Sequence, residues 1–163
     1  MIKKKKVFFK VFFTAATILA IFLSLMFFSA EASFTDVPYA EEEIITLCNI
    51  LRQEHGLAPL VHNWEAARVA RYKTEDMKSN NYFSHDSPVY GSFFDMLENF
   101  RIPYKSAGEN IAKGLSTPQK VVDAWMASPS HRKNILSKSF SQAGVGYSTN
   151  GTVHYWALIL LDP

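Results

Sequence analysis

Cysteine is almost missing from this chain. Cys48 is the only cysteine among 163 residues, so no internal disulfide can form and a packed core must supply the stability. Cys48 falls on an apolar stripe of helical spacing together with Ile44, Leu47 and Leu51. We therefore interpret it as a small buried hydrophobic residue and not as a nucleophile.

An excess of basic residues is also missing once the first 32 residues are set aside. That segment holds 5 of the 17 Lys and Arg residues and 1 of the 15 Asp and Glu residues, so residues 33–163 carry 12 basic and 14 acidic side chains. No cluster interleaves Lys and Arg with aromatic residues, so no nucleic-acid partner is predicted. The 131 residues contain no repeats and suit one domain with one core.

Residues 1–32 have the features of an export signal. Five lysines precede an apolar run at residues 11–28, and Ala30-Glu31-Ala32 offers small residues at the two positions that a signal peptidase reads. We predict cleavage after Ala32. The alternative is an uncleaved anchor, because 18 residues are near the lower limit for a membrane span. Either way the remainder lies outside the cytoplasm, secreted or wall-associated, and only an uncleaved segment would contact the membrane.

The rest of the chain divides into a short linker and one domain. The linker is predicted at residues 33–40 and the domain at residues 41–163. Apolar residues at helical spacing predict a first, second and third helix at about residues 38–55, 64–79 and 92–100. Asn63 is predicted to cap the second helix. Ser116 or Thr117 caps a fourth helix, with Pro118 in its first turn and Pro129 at its end.

The end of the chain favours strands. Residues 105–112 are predicted to be extended, and residues 143–147 and 153–160 alternate like strands around Asn150-Gly151, a strong hairpin signal. His154 lies within the last strand, so we interpret it as a hydrogen-bonded structural histidine. Helices first and a hairpin last predict the α+β class, with helices against a mostly antiparallel sheet.

The residues with the greatest chemical potential occur in three short segments. These are Tyr82-Phe83-Ser84-His85, Gly108-Glu109-Asn110-Ile111 and Ser128-Pro129-Ser130-His131, with Asn134 following the third. Two imidazoles and a carboxylate can bind a divalent metal or move protons if the fold brings them together. The sequence lacks both the His-Glu-x-x-His helix of zinc proteases and the Gly-x-Ser-x-Gly turn of serine hydrolases.

In order and spacing, these segments resemble bacterial members of the CAP superfamily, named after cysteine-rich secretory proteins, antigen-five and pathogenesis-related proteins. Three further blocks share the likeness: Asn49-Ile50-Leu51-Arg52, Gly56-Leu57-Ala58-Pro59-Leu60 and Gly144-Val145-Gly146. The likeness covers about residues 41–160. It implies a three-layer α-β-α sandwich with a central cavity lined by two histidines and acidic residues.

The resemblance also implies which residues line that cavity. His85 and His131 match the two cavity histidines, and Glu109 matches the first glutamate. Asn134 falls where many relatives carry glutamine. Ser128 falls where many animal and plant relatives carry a second glutamate and bacterial ones commonly carry serine. The candidate cavity residues are therefore His85, Glu109, Asn110, Ser128, His131 and Asn134.

Metal binding is one role that these residues suit. His85 and His131 are the candidate ligands, and Glu109 or water would complete the shell of zinc or another divalent cation. Two imidazoles and one carboxylate make a weak site, so we expect no required cofactor.

Catalysis is less well supported by the residue types. A serine hydrolase would use Ser128 with His131 as base and Glu109 as its orienting partner. A glycosidase usually needs two carboxylates, and Asp86 is the only other one near these motifs. Whether the chain is an enzyme therefore stays open.

The leading hypothesis is a monomeric, cavity-bearing binding or interaction module outside the cell. Its ligand would be a small molecule, a lipid, a peptide or a cell-wall component. Phe93, Phe94 and Phe100 either line an apolar groove for that ligand or belong to the core. The alternative is an extracytoplasmic hydrolase that acts on the cell wall, a peptide or an ester.

Overall fold

The computed structural model describes residues 39–163. The predicted signal segment, its cleavage site and residues 33–38 of the predicted linker lie outside these residues. The first helix, α1, covers residues 39–54 of the described part and so includes the last two residues of the predicted linker. From residue 39 onward, no helix is both long enough and apolar enough to cross a membrane.

Eight further elements follow α1 in the order β-α-α-β-α-α-β-β. They are β1 (Val61–His62), α2 (Trp64–Ser79), α3 (Phe93–Asn99), β2 (Ser106–Lys113), α4 (Pro118–Ala127), α5 (Pro129–Ile135), β3 (Gln142–Thr149) and β4 (His154–Asp162). The strands form one sheet in the order β1-β3-β4-β2. The β3–β4 and β2–β4 pairs are antiparallel, and the two-residue β1 joins β3 in parallel. The sheet is therefore mixed but mostly antiparallel, as predicted.

The sheet is covered by helices on both faces, which confirms the three-layer α-β-α sandwich. Successive side chains of β4 point to opposite faces, as strand geometry requires. Trp156, Leu158 and Leu160 pack with apolar residues of α1, α4 and α5. Their neighbours Ala157 and Ile159 pack with α2 and α3 on the other face. Two layers of core thus enclose β4, the most buried strand.

Helix α2 lies unusually close to the sheet because β3 has no side chain at two inward positions. A Cβ placed on Gly144 would lie 2.0 Å from the backbone nitrogen of Ala67, and one on Gly146 would lie 2.2 Å from the carbonyl carbon of Ala70. Small residues on both elements therefore let the two backbones touch. This contact fixes the position of α2, which matters below for the candidate site.

Local capping explains why the helices begin where they do. The Asn63 side chain accepts a hydrogen bond from the amide of Ala66, as predicted for the start of α2. Thr117 caps α4, and Ser92 forms a reciprocal capping box with Asp95 at the start of α3. Cys48 is fully buried in the core, and burial raises the pKa of its thiol to about 12, so the prediction of an inert cysteine is confirmed.

Two elements differ from the sequence prediction. Pro129 was expected to end the fourth helix, but α4 ends at Ala127, and Pro129 is instead the first residue of α5. A proline suits the first helical position because no hydrogen bond is needed from its nitrogen there. Strand β1 was not predicted because two residues are too short for a periodic signal. Helix α5 matters most, because it carries His131 and Asn134.

Candidate functional site

The site is built around β2, an edge strand that carries two adjacent buried polar residues. Glu109 is 6% exposed and Asn110 is completely buried. Because neighbouring side chains on a strand point to opposite faces, the two residues serve different partners. Asn110 contacts α5, while Glu109 contacts the irregular segment after α2.

His85 and Glu109 form a close pair. His85 Nδ1 lies 2.6 Å from Glu109 Oε2, with the histidine side chain 52% exposed and the glutamate side chain 2% exposed. The hydrogen bond to Glu109 and the carboxylate charge raise the pKa of His85, although burial and the Lys73 ammonium oppose them. Glu109 therefore fixes the orientation of the ring and leaves Nε2 as the atom available to a ligand.

The other carboxylate oxygen of Glu109 is in an unusual environment. Oε1 is buried and has no hydrogen-bond partner among the described residues. A buried carboxylate oxygen without a donor is costly, because desolvation of a charge must be offset by hydrogen bonds or counter-charges. Lys73 lies close enough that its charge and that of Glu109 interact. The glutamate is thus held by charge on one side and by His85 on the other.

Within residues 39–163, the hydrogen bond that holds His131 is made to its backbone carbonyl and none involves its ring. Asn110 Nδ2 donates to the His131 carbonyl at 3.1 Å, and Asn134 Nδ2 donates to Asn110 Oδ1 at 2.9 Å and to the Glu109 carbonyl at 3.2 Å. These bonds fasten α5 to β2. Burial and the nearby charge of His85 lower the pKa of His131. The two pKa values are therefore shifted in opposite directions, so His131 gives up its proton at a lower pH than His85.

Ser128 does not take part in a serine–histidine pair. Its hydroxyl lies 3.3 Å from the hydroxyl of Ser130, and Glu109 orients His85 instead of His131. The Ser84 hydroxyl accepts from the Asp86 amide. The arrangement of Ser128, His131 and Glu109 that a serine hydrolase would need is therefore not formed.

A cleft opens beside the His85–Glu109 pair. It has a volume of about 260 Å³ and is lined by His85, Asp86, Ser92, Phe93, Phe94, Ala107, Gly108 and Glu109. Phe94 is half exposed and Phe93 is buried beneath it, with the two ring centroids 5.1 Å apart. Phe100 instead packs against Tyr72 and Tyr90 away from the cleft. Two of the three candidate groove aromatics thus border the cleft.

The residues available for a metal are fewer than in a dedicated site. Within residues 39–163, no three His, Cys, Asp or Glu side chains converge to hold a metal ion. His85 and His131 are the two imidazoles near each other. Because Glu109 already hydrogen-bonds Nδ1 of His85, it would act as the carboxylate that orients a ligating histidine. The described residues therefore do not form a dedicated metal site.

Sequence reasoning overlooked two residues of α2 that hold the segment carrying His85. Lys73 and Asp76 are buried on α2 and contact the segment that carries His85. Lys73 falls seven residues after Ala66 and three after Ala70, and both alanines are fully buried. The helical spacing of Lys73 therefore indicated an inward position, but its charge led us to overlook it.

His154 and His55 have structural roles. His154 Nδ1 lies 2.7 Å from the Tyr147 hydroxyl, so the prediction of a hydrogen-bonded strand histidine is confirmed. His55 Nδ1 lies 2.8 Å from the Leu51 carbonyl one turn earlier. Neither residue borders the cleft.

Two Bacillus subtilis proteins are similar to this chain in sequence. The Bacillus subtilis protein YkwD is 52% identical over 113 residues, which cover 69% of this chain and 44% of YkwD. The membrane protein YlbC of the same organism is 40% identical over 121 residues, covering 72% of this chain and 35% of YlbC. The chain thus spans less than half the length of either relative.

A solved structure agrees with these relationships. An extracellular protein from Bacillus anthracis that contains an SCP domain superposes with a TM-score of 0.73 at 35% identity, over 78% of this chain and 41% of that one. The model of the cysteine-rich secretory protein family, or CAP family, matches residues 45–160. This range contains β1 to β3, most of β4, the His85–Glu109 pair and α5. The chain therefore belongs to the cysteine-rich secretory protein family.

Proposed function

We propose that this domain is an extracytoplasmic binding module whose ligand occupies the cleft beside His85 and Glu109. The observation that carries the proposal is the 2.6 Å contact between a half-exposed imidazole and a buried carboxylate. A donor held in one orientation before the ligand arrives loses little freedom on binding. The pair therefore suits recognition whether or not a reaction follows.

The chemistry of the cleft limits the kind of ligand. Protonated His85 can donate from Nε2 to a carboxylate, a phosphate or a carbonyl oxygen, and a charged donor strengthens such a bond. Phe94, half exposed on another side of the cleft, offers an apolar contact. We therefore propose a ligand that carries an oxygen acceptor next to an apolar group. Peptides, lipids, small molecules and cell-wall components all include such compounds.

Two observations support a location outside the cytoplasm. Residues 1–32 have the pattern of an export signal. The Bacillus anthracis relative, 35% identical, is described as an extracellular protein. Association with the cell wall, or with the membrane through an uncleaved N-terminal segment, is part of the same proposal.

Weak binding of zinc or another divalent cation is compatible with this site. His85 and His131 would hold the ion, and Glu109 would orient His85. A bound ion would polarise a carbonyl or phosphoryl oxygen of the ligand. Binding requires neutral imidazoles, so the raised pKa of His85 opposes it at neutral pH and the lowered pKa of His131 favours it.

A hydrolase is the second candidate, because a histidine oriented by a carboxylate is also the base of many hydrolytic enzymes. His85 and Glu109 have that arrangement. Two features favour binding over hydrolysis. The raised pKa leaves less of His85 in the neutral form that accepts a proton. No serine hydroxyl among residues 39–163 is hydrogen-bonded to His85 or His131.

The two candidates differ in turnover. The purified domain would be incubated with peptidoglycan, casein and ester substrates, with and without divalent metals, and both retention and product formation would be measured. We expect retention on at least one material without turnover, weakened by His85→Ala. His154→Ala serves as the control, because that histidine contacts Tyr147 outside the cleft. Turnover that His85→Ala or His131→Ala abolishes would establish the hydrolase instead.

A further inference from the structure

Two oppositely charged residues on the buried face of α2 need an explanation. Lys73 is completely buried and Asp76 is 6% exposed, one helical turn apart. Burying a charge costs several kcal/mol even after relaxation, so such residues persist where hydrogen bonds and counter-charges surround them. Lys73 and the Oδ2 atom of Asp76 contact the segment that leads to and beyond His85, while Asp76 Oδ1 accepts from the Asn80 side chain.

Lys73 holds the backbone of His85 itself. Its Nζ donates to the His85 carbonyl oxygen at 2.7 Å and lies 5.3 Å from the centre of the Tyr82 ring. Burial lowers the pKa of Lys73, and the charges of Glu109, Asp76 and Asp86 act in the opposite direction. Lys73 therefore holds the backbone of His85 and interacts, through its charge alone, with the carboxylate that the His85 ring contacts.

Asp76 holds the two ends of the segment. Its Oδ2 accepts hydrogen bonds from the Tyr82 hydroxyl and, at 2.6 Å, from the Ser87 hydroxyl. Ser87 Oγ in turn accepts from the amides of Val89 and Tyr90, which shapes the following turn. The segment is thus fixed to α2 at Tyr82, at His85 and at Ser87.

These attachments replace regular secondary structure. Residues 82–86 belong to no helix or strand, so no repeating backbone hydrogen bonds hold His85 in place. The His85 carbonyl is bound to α2, and its ring meets Glu109 on β2. Fixing the backbone at this residue limits where the ring can go.

We propose that Lys73 and Asp76 are positioning residues for the candidate site: together they fasten residues 82–87 to α2 so that the His85 imidazole meets Glu109. Neither side chain lines the cleft, so both act through His85. The significance for ligand binding rests on the proposed function, but the position of the ring can be measured without any ligand.

The test uses the His85 ring as a spectroscopic reporter in the folded protein. In the wild-type chain, 1H–15N spectra should show a protected Nδ1 proton with contacts to Glu109. Lys73→Met should remove that signal while the amide spectrum stays that of a folded protein. Lys78→Met is the matched control, because Lys78 lies on the same helix but pairs with Glu75 near the surface. It should leave the His85 ring signals unchanged.

Ser87→Ala provides a second variant that buries no unpaired charge. It releases one end of the segment from Asp76, so the Nδ1 proton should exchange faster with solvent than in the wild type, even if Lys73→Met does not fold. Retention of solubilised peptidoglycan fragments should fall about tenfold or more in Lys73→Met, by analogy with the loss found when the groups that orient a metal-ligating histidine are removed.

The outcomes separate the two proposals. If folded Lys73→Met keeps the wild-type Nδ1 signal, or if Ser87→Ala leaves its exchange unchanged where Lys73→Met is unfolded, the positioning role is refuted. If the ring signal is lost in Lys73→Met but the wild-type protein retains neither these fragments nor any other material tested above, the positioning role stands and the proposed function loses its support.

Discussion

Replacing Gly144 by alanine should loosen the whole site from a distance. The added Cβ would lie 2.0 Å from the backbone nitrogen of Ala67 and 2.4 Å from the carbonyl carbon of Ala66. Since the obstructing atoms are backbone, no side chain can rotate away, and α2 must move off β3. Lys73 and Asp76 are on α2, so this movement would also carry them away from the segment around His85.

The cost follows from the depth of the overlap. Forced overpacking costs about 1–3 kcal/mol and occasionally more, and a backbone collision belongs at the upper end, so we expect about 3 kcal/mol. Native domains have only about 0.05–0.15 kcal/mol of stability per residue. With a urea dependence of about 2 kcal/mol per molar, the unfolding midpoint should fall by about 1.5 M.

Gly114→Ala is the matched control for this prediction. Gly114 has a φ of +82° but nothing within 4 Å of a new Cβ. Its replacement therefore costs only backbone strain, about 1–2 kcal/mol. A smaller loss of stability in Gly144→Ala than in Gly114→Ala, measured by urea unfolding, would refute the close contact between α2 and β3.

Three further predictions concern buried charge and the histidines. Arg52→Met should cost at least about 3 kcal/mol in thermal unfolding, because the buried guanidinium donates to four carbonyls. Glu109→Gln should lower the pKa of His85 in an NMR titration. In the wild type, the stability that the pair adds is complete below the pKa of His85 in the unfolded chain. It disappears as pH rises through the higher pKa of His85 in the folded protein. Zinc binding by calorimetry should weaken from about pH 7.5 to about 5.5 and be mostly lost in His85→Ala and His131→Ala, with His154→Ala unchanged.

Local signals predicted much of the fold. The bounds of α2 agree with the prediction because Asn63 is a strong cap and the helical spacing continues to Ser79. The hairpin of β3 and β4 agrees with the prediction, because Gly151 in its turn adopts a φ of +89°, which suits glycine. Helix α5 was missed because proline at its start was interpreted as the end of the preceding helix. Such ambiguity is resolved only by packing, in which Ile135 enters the core.

The sequence predicted which residues form the candidate site, but not which of them hydrogen-bond each other. The motifs, and the family that they resemble, identified His85, Glu109 and His131. The sequence did not indicate that Glu109 would hydrogen-bond His85 and not His131, because that depends on how the segment after α2 lies against β2. Lys73 was overlooked because a lysine usually faces solvent, and only the tertiary structure supplies the carbonyl and carboxylates that make its burial tolerable.

Chemical-shift mapping tests the central claim most directly. The 15N-labelled domain would be titrated with solubilised peptidoglycan fragments, for the wild type and for His85→Ala. We expect the wild-type shifts to cluster at the cleft, around His85, Phe94 and Glu109, and to disappear in the variant. Shifts that cluster elsewhere, for example in the groove that Arg68 and Tyr72 of α2 form with Tyr147 of β3, or that persist in His85→Ala, would contradict the account.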